Sequence, residues 1–283
     1  MFRACLFVIA IVSCVQATAG IVGTTGAVVI VNPVAPDNDF TTNGAGQSDT
    51  VIRTFAEVSD FALPSLFPVN VSIAGTSLPG DANLSSLDLP TGGYVNTYFV
   101  HFDPVGRPSQ LVNAAGSITF DEIVVGLVFR NGALNTTNAI APFPGVSYPD
   151  DGRVELDDPG TFIALSDNLK TVSFAFEANL GSDNIRIVTA TAGLRGGDAN
   201  LNRIVDGADY VVWADNFLQN RRSWTQGDFN GDQFVDGADY TAWADNFAPA
   251  ALTLAAVPEP STLALAVVGV ASVVLRRRKP PGE

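Results

Sequence analysis

The sequence predicts a mainly β protein: an antiparallel β-sandwich or jelly-roll-like N-terminal domain over residues 20–192, then a small α-helical module over 196–248. Two observations carry this. Residues 20–192 are rich in Val, Ile, Phe, Thr and Gly, with proline-marked turns and no convincing helical period. Residues 197–217 return at 227–247 with 14 of 21 positions identical, the mark of a duplicated unit. A third observation sets the context. Each end of the chain carries an apolar run beside basic residues, as addressing segments do.

Residues 1–19 begin with Arg3, run apolar from Ala4 to Val12 and end Ala17-Thr18-Ala19, the layout of a secretory signal peptide with cleavage after Ala19. Ile11-Val12-Ser13-Cys14 loosely resembles a bacterial lipobox, which would lipidate Cys14. Both cysteines, Cys5 and Cys14, fall in this segment. Its removal would leave no thiol for disulfides, thiolate catalysis or cysteine-metal sites.

In the body, strands are predicted at Ala27–Val31, Val69–Ala74, Tyr94–Phe102, Ile123–Arg130, Thr161–Leu165, Thr171–Ala178 and Ile185–Thr191. Val172, Phe174 and Phe176 alternate with Thr171, Ser173 and Ala175, the period of a half-buried strand. Many short strands separated by turn residues indicate two packed antiparallel sheets.

Within the duplicated unit the informative feature is oxygen spacing. Asp198, Asn200, Asn202, Asp206 and Asp209 occupy positions 1, 3, 5, 9 and 12 of a loop, and Asp228, Asn230, Asp232, Asp236 and Asp239 repeat them. Position 7 would add the backbone carbonyl of Ile204 or Phe234. Ca²⁺ takes about 6–8 oxygen ligands, and a 12-residue loop of this spacing can wrap one ion. The expectation is therefore two calcium ions. Val205 and Val235, apolar at position 8, are expected to bring the two loops together side by side. Each loop runs into a predicted helix on which Tyr210, Trp213, Ala214 and Phe217, or Tyr240, Trp243, Ala244 and Phe247, share one face. Two such helices make a core too small to stand alone, and metal binding would add folding free energy.

This module resembles a type I dockerin, with two loop–helix units opening Gly-Asp-x-Asn and closing with Asp at position 12. The resemblance implies two bound calcium ions and docking to a cohesin-like protein, often in complexes that act on extracellular polysaccharide. Three residue choices depart from the pattern. Position 6, usually glycine because the chain turns there with positive φ, is Arg203 and Gln233, at about 1 kcal/mol each. Asn202 replaces the commoner Asp at position 5. Gly207-Ala208 and Gly237-Ala238 offer no hydroxyl at the cohesin-contacting positions 10 and 11. A docking role and a metal-stiffened spacer role both fit.

After a linker at 249–256 comes Val257-Pro258-Glu259-Pro260-Ser261-Thr262, an uncharged stretch from Leu263 to Leu275, and Arg276-Arg277-Arg278-Lys279. The prolines stop a helix from extending backward. As a helix, 263–275 would reach only about 20 Å, against about 30 Å for a bilayer core. The basic cluster would stay in the cytoplasm and leave the preceding chain outside. This three-part tail, over 257–279, resembles the PEP-CTERM sorting signal, in which an exosortase recognises the motif found here at Pro258, Glu259 and Pro260. The resemblance implies a membrane-inserted sorting segment and delivery to the cell surface or its polysaccharide matrix.

Charge and side-chain inventory bound the function. The chain carries a formal charge of -14. Five of its 15 basic residues are Arg3 and the 276–279 cluster, and Glu283 is one of 29 acidic residues, so the interior holds 10 basic against 28 acidic. Such a surface repels nucleic acid and attracts divalent cations. His101 is the single histidine, set in an apolar strand, so a structural or surface role is expected in place of catalysis. Asp121-Glu122, and Asp150-Asp151 with Glu155, Asp157 and Asp158, are acidic pairs that a glycosidase would need, but the latter group flanks Gly and Pro as turns do. The expectation is a non-catalytic exported surface or matrix protein. The alternative is a carboxylate-dependent polysaccharide hydrolase recruited through the module.

Overall fold

A computed structural model describes residues 20–32, 40–41, 47–77, 87–106, 110–149, 156, 160–178 and 181–248. The expected signal peptide with Ala19 and Cys14, the linker, Pro258-Glu259-Pro260 and the 263–275 segment lie outside them, as do Asp150, Asp151, Glu155, Asp157 and Asp158. In chain order the elements are β1 (Ile21–Gly26), β2 (Val28–Ile30), β3 (Ile52–Ala62), β4 (Phe67–Val69), β5 (Gly75–Ser77), β6 (Leu87–Leu89), β7 (Tyr94–Phe102), β8 (Val112–Phe120) and β9 (Val124–Val128). Helix α1 (Asn131–Ile140), β10 (Phe162–Leu165), β11 (Thr171–Ala178), β12 (Asp183–Ala190), α2 (Gly207–Asn216) and α3 (Gly237–Asn246) follow.

The protein is mainly β. One five-stranded sheet has the order β1-β8-β11-β10-β5 and a second the order β2-β3-β7-β12-β9, with β4 and β6 forming a small ribbon. Strand pairs are antiparallel except β2 with β3, which run parallel. The sheets share a core. From one come Ile118, Phe120, Val172, Phe174 and Phe176, and from the other Ile52, Tyr98, Val100, Phe102, Ile185 and Ile187. Tyr98 meets Phe120 at 4.7 Å between ring centroids, and Phe102 stacks on Phe176 at 6.1 Å.

Strand β11 alternates buried and half-buried positions, as its sequence pattern predicts. Strand β12 does not alternate, because it is buried along its whole length. Its Ile185 and Ile187 face the shared core, while Val188 and Ala190 enter a second apolar cluster with Phe55, Phe99, Leu134 and Phe40. Helix α1 covers that outer face. A strand buried on both sides has no period-2 signature. Helix α1 was not legible for a related reason: its sequence, NGALNTTNAI, buries only Leu134 and Thr137.

Between the sheet and α1 sits a buried polar knot. Arg186, fully buried, bonds Glu57 through Nε at 2.6 Å and Nη2 at 2.7 Å. Its Nη1 donates to Thr137 Oγ1 and its Nη2 to Asn138 Oδ1 at 2.9 Å. The guanidinium lies 5.4 Å from the Phe99 ring centroid and 5.3 Å from that of Tyr148, whose hydroxyl donates to Glu57 at 2.6 Å. Every face of the charge pair is occupied, as burial requires. His101 is also interior: its Nδ1 lies 2.7 Å from Asn184 Oδ1 and its ring packs on Phe40 and Phe99, so a surface role is ruled out.

Strands β7 and β11 fall where the sequence places them, and β9, β10 and β12 within two residues. The expected strand at 69–74 is instead the end of β4, a bridge from Val71 to Leu127, and the approach to β5. Strands β1, β3 and β8 were not anticipated. Gly and Thr in β1, Gly and Ala in β8, and Glu57 and Asp60 in β3 mask their extended character. The described residues from Gly20 to Ala248 form one compact unit, with the loop–helix segment packed on the sheets. Leu201 is 2% exposed and belongs to the same apolar cluster as Phe55 and Phe99.

Candidate metal centre

Both duplicated loops end in a capped helix. Asp206 Oδ1 accepts from Ala208 N at 2.8 Å while Asp209 Oδ2 accepts from Asp206 N at 2.9 Å. Asp236 and Asp239 repeat this capping box before α3 at 2.7 and 2.8 Å. Reciprocal bonds of this kind satisfy amide donors that a helix start leaves open. Position 9 of each loop is therefore engaged as a helix cap.

The position-12 carboxylate also closes the loop. Asp209 Oδ1 accepts from Ala199 N at 3.0 Å and Asn200 N at 3.2 Å, and Asp239 Oδ1 from Phe229 N at 2.7 Å and Asn230 N at 3.2 Å. From the other side, Asp198 accepts from Asn202 N (3.0 Å) and Arg203 N (2.8 Å), and Asp228 from Gly231 N and Gln233 N (both 2.8 Å). Alternate positions bend the chain through side-chain acceptors. Asn200 Oδ1 takes Asn202 N, Asn202 Oδ1 takes Ile204 N, Asn230 Oδ1 takes Asp232 N and Asp232 Oδ1 takes Phe234 N, all at 2.8–3.0 Å. The side chain of Ile204 is exposed.

Four carboxylates are thereby buried. Asp198, Asp209 and Asp239 are 0% exposed and Asp228 2%. Burial, with the neighbouring charge of Asp209 or Asp239 adding, pushes the Asp198 and Asp228 carboxyls up to about 6, against the amide bonds that lower them. Burial raises Asp209 and Asp239 as well. Ion pairs among the described residues join Arg186 to Glu57 and Arg203 to Asp60, and neither supplies a countercharge to these loops. Buried anions without a cationic side chain are costly, so this donor set fits a hard cation. Among the described residues, no three His, Cys, Asp or Glu side chains form a ready metal cluster. A cation here would be held by paired carboxylates together with amide and carbonyl oxygens.

Val205 and Val235 are both fully buried, but they do not join the loops to each other. Val235 exchanges main-chain bonds with Leu218 and Gln219 after α2 (2.8 and 3.1 Å), and Val205 O accepts from Ala248 N after α3 (3.0 Å). Each loop pairs with the segment that leaves the other helix, because the two units are wrapped around one another. The aromatic faces do meet: Tyr210 lies 5.2 Å from Trp243 and Trp213 5.2 Å from Tyr240. They stay partly open, with Tyr210, Phe217, Tyr240 and Phe247 all exposed.

Sequence reasoning missed Trp224, in a short 3-10 turn between the units, whose Nε1 donates to Asp198 O at 2.8 Å. It also missed body residues that touch the loops, among them Asp60, Tyr94, Thr191 and Ala74. A motif read by its own internal spacing carries no signal for partners outside the repeat, whether 12 residues away, as Thr191 is from Arg203, or 159, as Ala74 is from Gln233.

The acidic pair Asp121-Glu122 occupies the turn between β8 and β9, where Lys170 Nζ donates to Asp121 O at 2.5 Å. Burial and Asp121 raise the Glu122 carboxyl.

Comparison with known families adds one match, at the C-terminal tail. Residues 256–279 match the PEP-CTERM protein-sorting motif. The match begins one residue before the boundary expected from the sequence. PEP-CTERM signals are processed by exosortase, so the chain is an exported protein sorted to the cell surface through a C-terminal membrane-anchored signal. No curated protein and no solved structure matches the chain. No helix among the described residues is long and apolar enough to cross a membrane.

Proposed function

We propose that this PEP-CTERM-sorted protein is a non-catalytic surface or matrix component whose β-rich, sandwich-like body has a binding or structural role and rests on a calcium-stabilised, dockerin-like module. The observation that carries the calcium reading is the burial of two carboxylates per loop with no ion pair to a cationic side chain among the described residues. Asp198, Asn200, Asn202, the Ile204 carbonyl, Asp206 and Asp209 would hold one ion. Asp228, Asn230, Asp232, the Phe234 carbonyl, Asp236 and Asp239 would hold the other. Calcium supplies charge neutralisation and loop closure, and no redox or hydrolytic step is assigned to it.

Between the docking and spacer roles, the loops' seating against the β body supports the spacer. Leu201 O and the Arg203 guanidinium are spent on Tyr94 and Thr191 of the body. A cohesin-like partner would have to use the exposed Gly207-Ala208 and Gly237-Ala238 starts of the helices, which carry no polar side chain.

Calorimetric titration of the full chain in detergent with calcium tests the metal reading. Two sites are expected, with Asp209→Asn and Asp239→Asn each abolishing one. Absence of binding heat, together with an unfolding temperature unmoved by calcium or chelator, would sink it. A polysaccharide turnover screen tests the non-catalytic reading, and hydrolysis lost on mutating Glu122 would replace it with the hydrolase.

A further inference from the structure

Position 6 of each loop stands in the left-handed region, with φ 72° at Arg203 and 68° at Gln233. Side chains rarely adopt that conformation without compensation. Here both side chains leave the module and bind the β body. The Arg203 guanidinium pairs with Asp60, donates to Thr191 Oγ1 through Nε at 3.3 Å and Nη2 at 3.1 Å, and lies 4.1 Å from the Tyr94 ring centroid. Asp60 is itself presented by an irregularity in β3 between Val58 and Phe61, held by a bond from its N–H to Asn96 Oδ1 at 2.9 Å. Gln233 Nε2 donates to Ala74 O at 3.2 Å.

The same two residues touch the metal-loop carboxylates through their main chain. Arg203 N donates to Asp198 Oδ2 and Gln233 N to Asp228 Oδ2, each at 2.8 Å. One peptide unit thus connects the first carboxylate of each loop to the body. Neighbouring contacts tighten the first joint: Tyr94 N donates to Leu201 O at 2.9 Å, and a Cβ at Gly93 would stand 2.9 Å from Asn200 O.

We infer that Arg203 and Gln233 are latch residues that make cation binding and the seating of the module on the β body mutually dependent. The inference rests on the calcium reading above. An ion that fixes Asp198 and Asp228 also fixes the amides of Arg203 and Gln233, and with them the direction of the two latching side chains. Coupling between binding and seating is reciprocal by linkage. Glycine at position 6 would relieve the left-handed backbone and cut the latch in the same change. A self-contained loop and a latched loop therefore respond with opposite signs.

The test is hydrogen–deuterium exchange of the full chain in detergent, with calcium and with chelator, and calorimetry on the same samples. In the unaltered chain, calcium is expected to slow exchange in the loops and also around Asp60, Tyr94 and Thr191. In the Arg203→Gly/Gln233→Gly variant the binding heat should persist, protection should stay within residues 196–248, and affinity should fall several-fold. Asp60→Ala removes the countercharge and acceptor of the first latch from the body side without touching a loop residue, and should reduce the body protection that calcium produces from loop 198–209. Calcium heat with protection confined to the loops in the unaltered chain overturns the latch alone. So does body protection that survives the glycine variant, or glycine that tightens binding. Absence of calcium heat overturns both the latch and the calcium reading.

Discussion

The indole N–H of Trp213 donates to the main-chain carbonyl of Asp236 at 2.9 Å, and Trp243 returns the bond to Asp206 at 2.9 Å. Each helix thus clasps the cap residue that starts the other. Trp213→Phe keeps an aromatic in place and deletes the donor, leaving a carbonyl short of one bond. The expected cost is about 1–2 kcal/mol, read as a shift in denaturant midpoint followed by the fluorescence of the remaining tryptophans. Trp243→Phe should cost the same within about 0.5 kcal/mol, the usual limit of such comparisons. A loss at one site only would show that the two units do not support each other equally.

The glycines that open the two loops are fixed by the same wrapping. Gly197 has φ +97°, and a Cβ there would lie 2.5 Å from Trp243 Cα; Gly227 has φ +96° and would meet Trp213 Cα at 2.9 Å. The clash is with backbone, which has no rotamer to retreat into. Gly197→Ala is expected to cost roughly 3 kcal/mol or more by combining backbone strain with overpacking, seen as loss of the tryptophan near-UV circular dichroism. Gly207→Ala and Gly237→Ala meet nothing within 4 Å at the helix starts. They should be neutral or slightly stabilising, and they serve as controls.

The buried Glu57–Arg186 pair predicts a non-additive cycle. Arg186→Met strands a fully packed carboxylate beside the Tyr148 hydroxyl, at about 3–5 kcal/mol. Glu57→Met strands the guanidinium under α1 at similar cost. The double variant removes both charges and should be more stable than either single variant. Equilibrium unfolding of the four proteins measures it. Costs that simply add would mean the pair contributes no coupling.

What the sequence disclosed depended on where the partners lie. The helices and the acidic position 12 at Asp209 and Asp239 are short-range features, and identical residues repeated 30 positions on made them readable, whereas Asp206 and Asp236, read as loop oxygens, also prove to be helix caps. Strand β11 was readable because one of its faces is buried and the other half-buried. Strand β3 and helix α1 were obscured because their polar residues, Glu57 and Thr137, are interior and satisfied by Arg186 across 129 and 49 residues. Arg203 and Gln233 looked like costs because only the loop was in view. Their compensation comes from Asp60, Thr191 and Ala74, which no local pattern connects to the loop.

Acidity should act on the module in two opposite ways. The Asp198 and Asp228 carboxyls are raised to about 6, first by burial and then by their acidic neighbours, from an ordinary value of 3.8. A group raised on folding adds stability that is fully present below its unfolded value and is lost as pH rises through its folded value. Without cation, these two carboxyls therefore favour folding at pH 4 and lose that contribution between about pH 4 and 6, on the order of 3 kcal/mol each. The chelated protein is thus weakest, on their account, at neutral pH. Cation binding needs the ionised forms, so the stabilisation produced by calcium should shrink as pH falls below about 6. Thermal unfolding with calcium and with chelator, at pH 4.5 and 7.5, is expected to show a wide gap at the higher pH and a narrow one at the lower. The Asp198→Asn/Asp228→Asn variant should lose the acid-side gain of the chelated form. If the variant and the unaltered chain gained equally on acidification, other carboxylates would be responsible and these two would not be the groups that hold the cation-free loops open to protons.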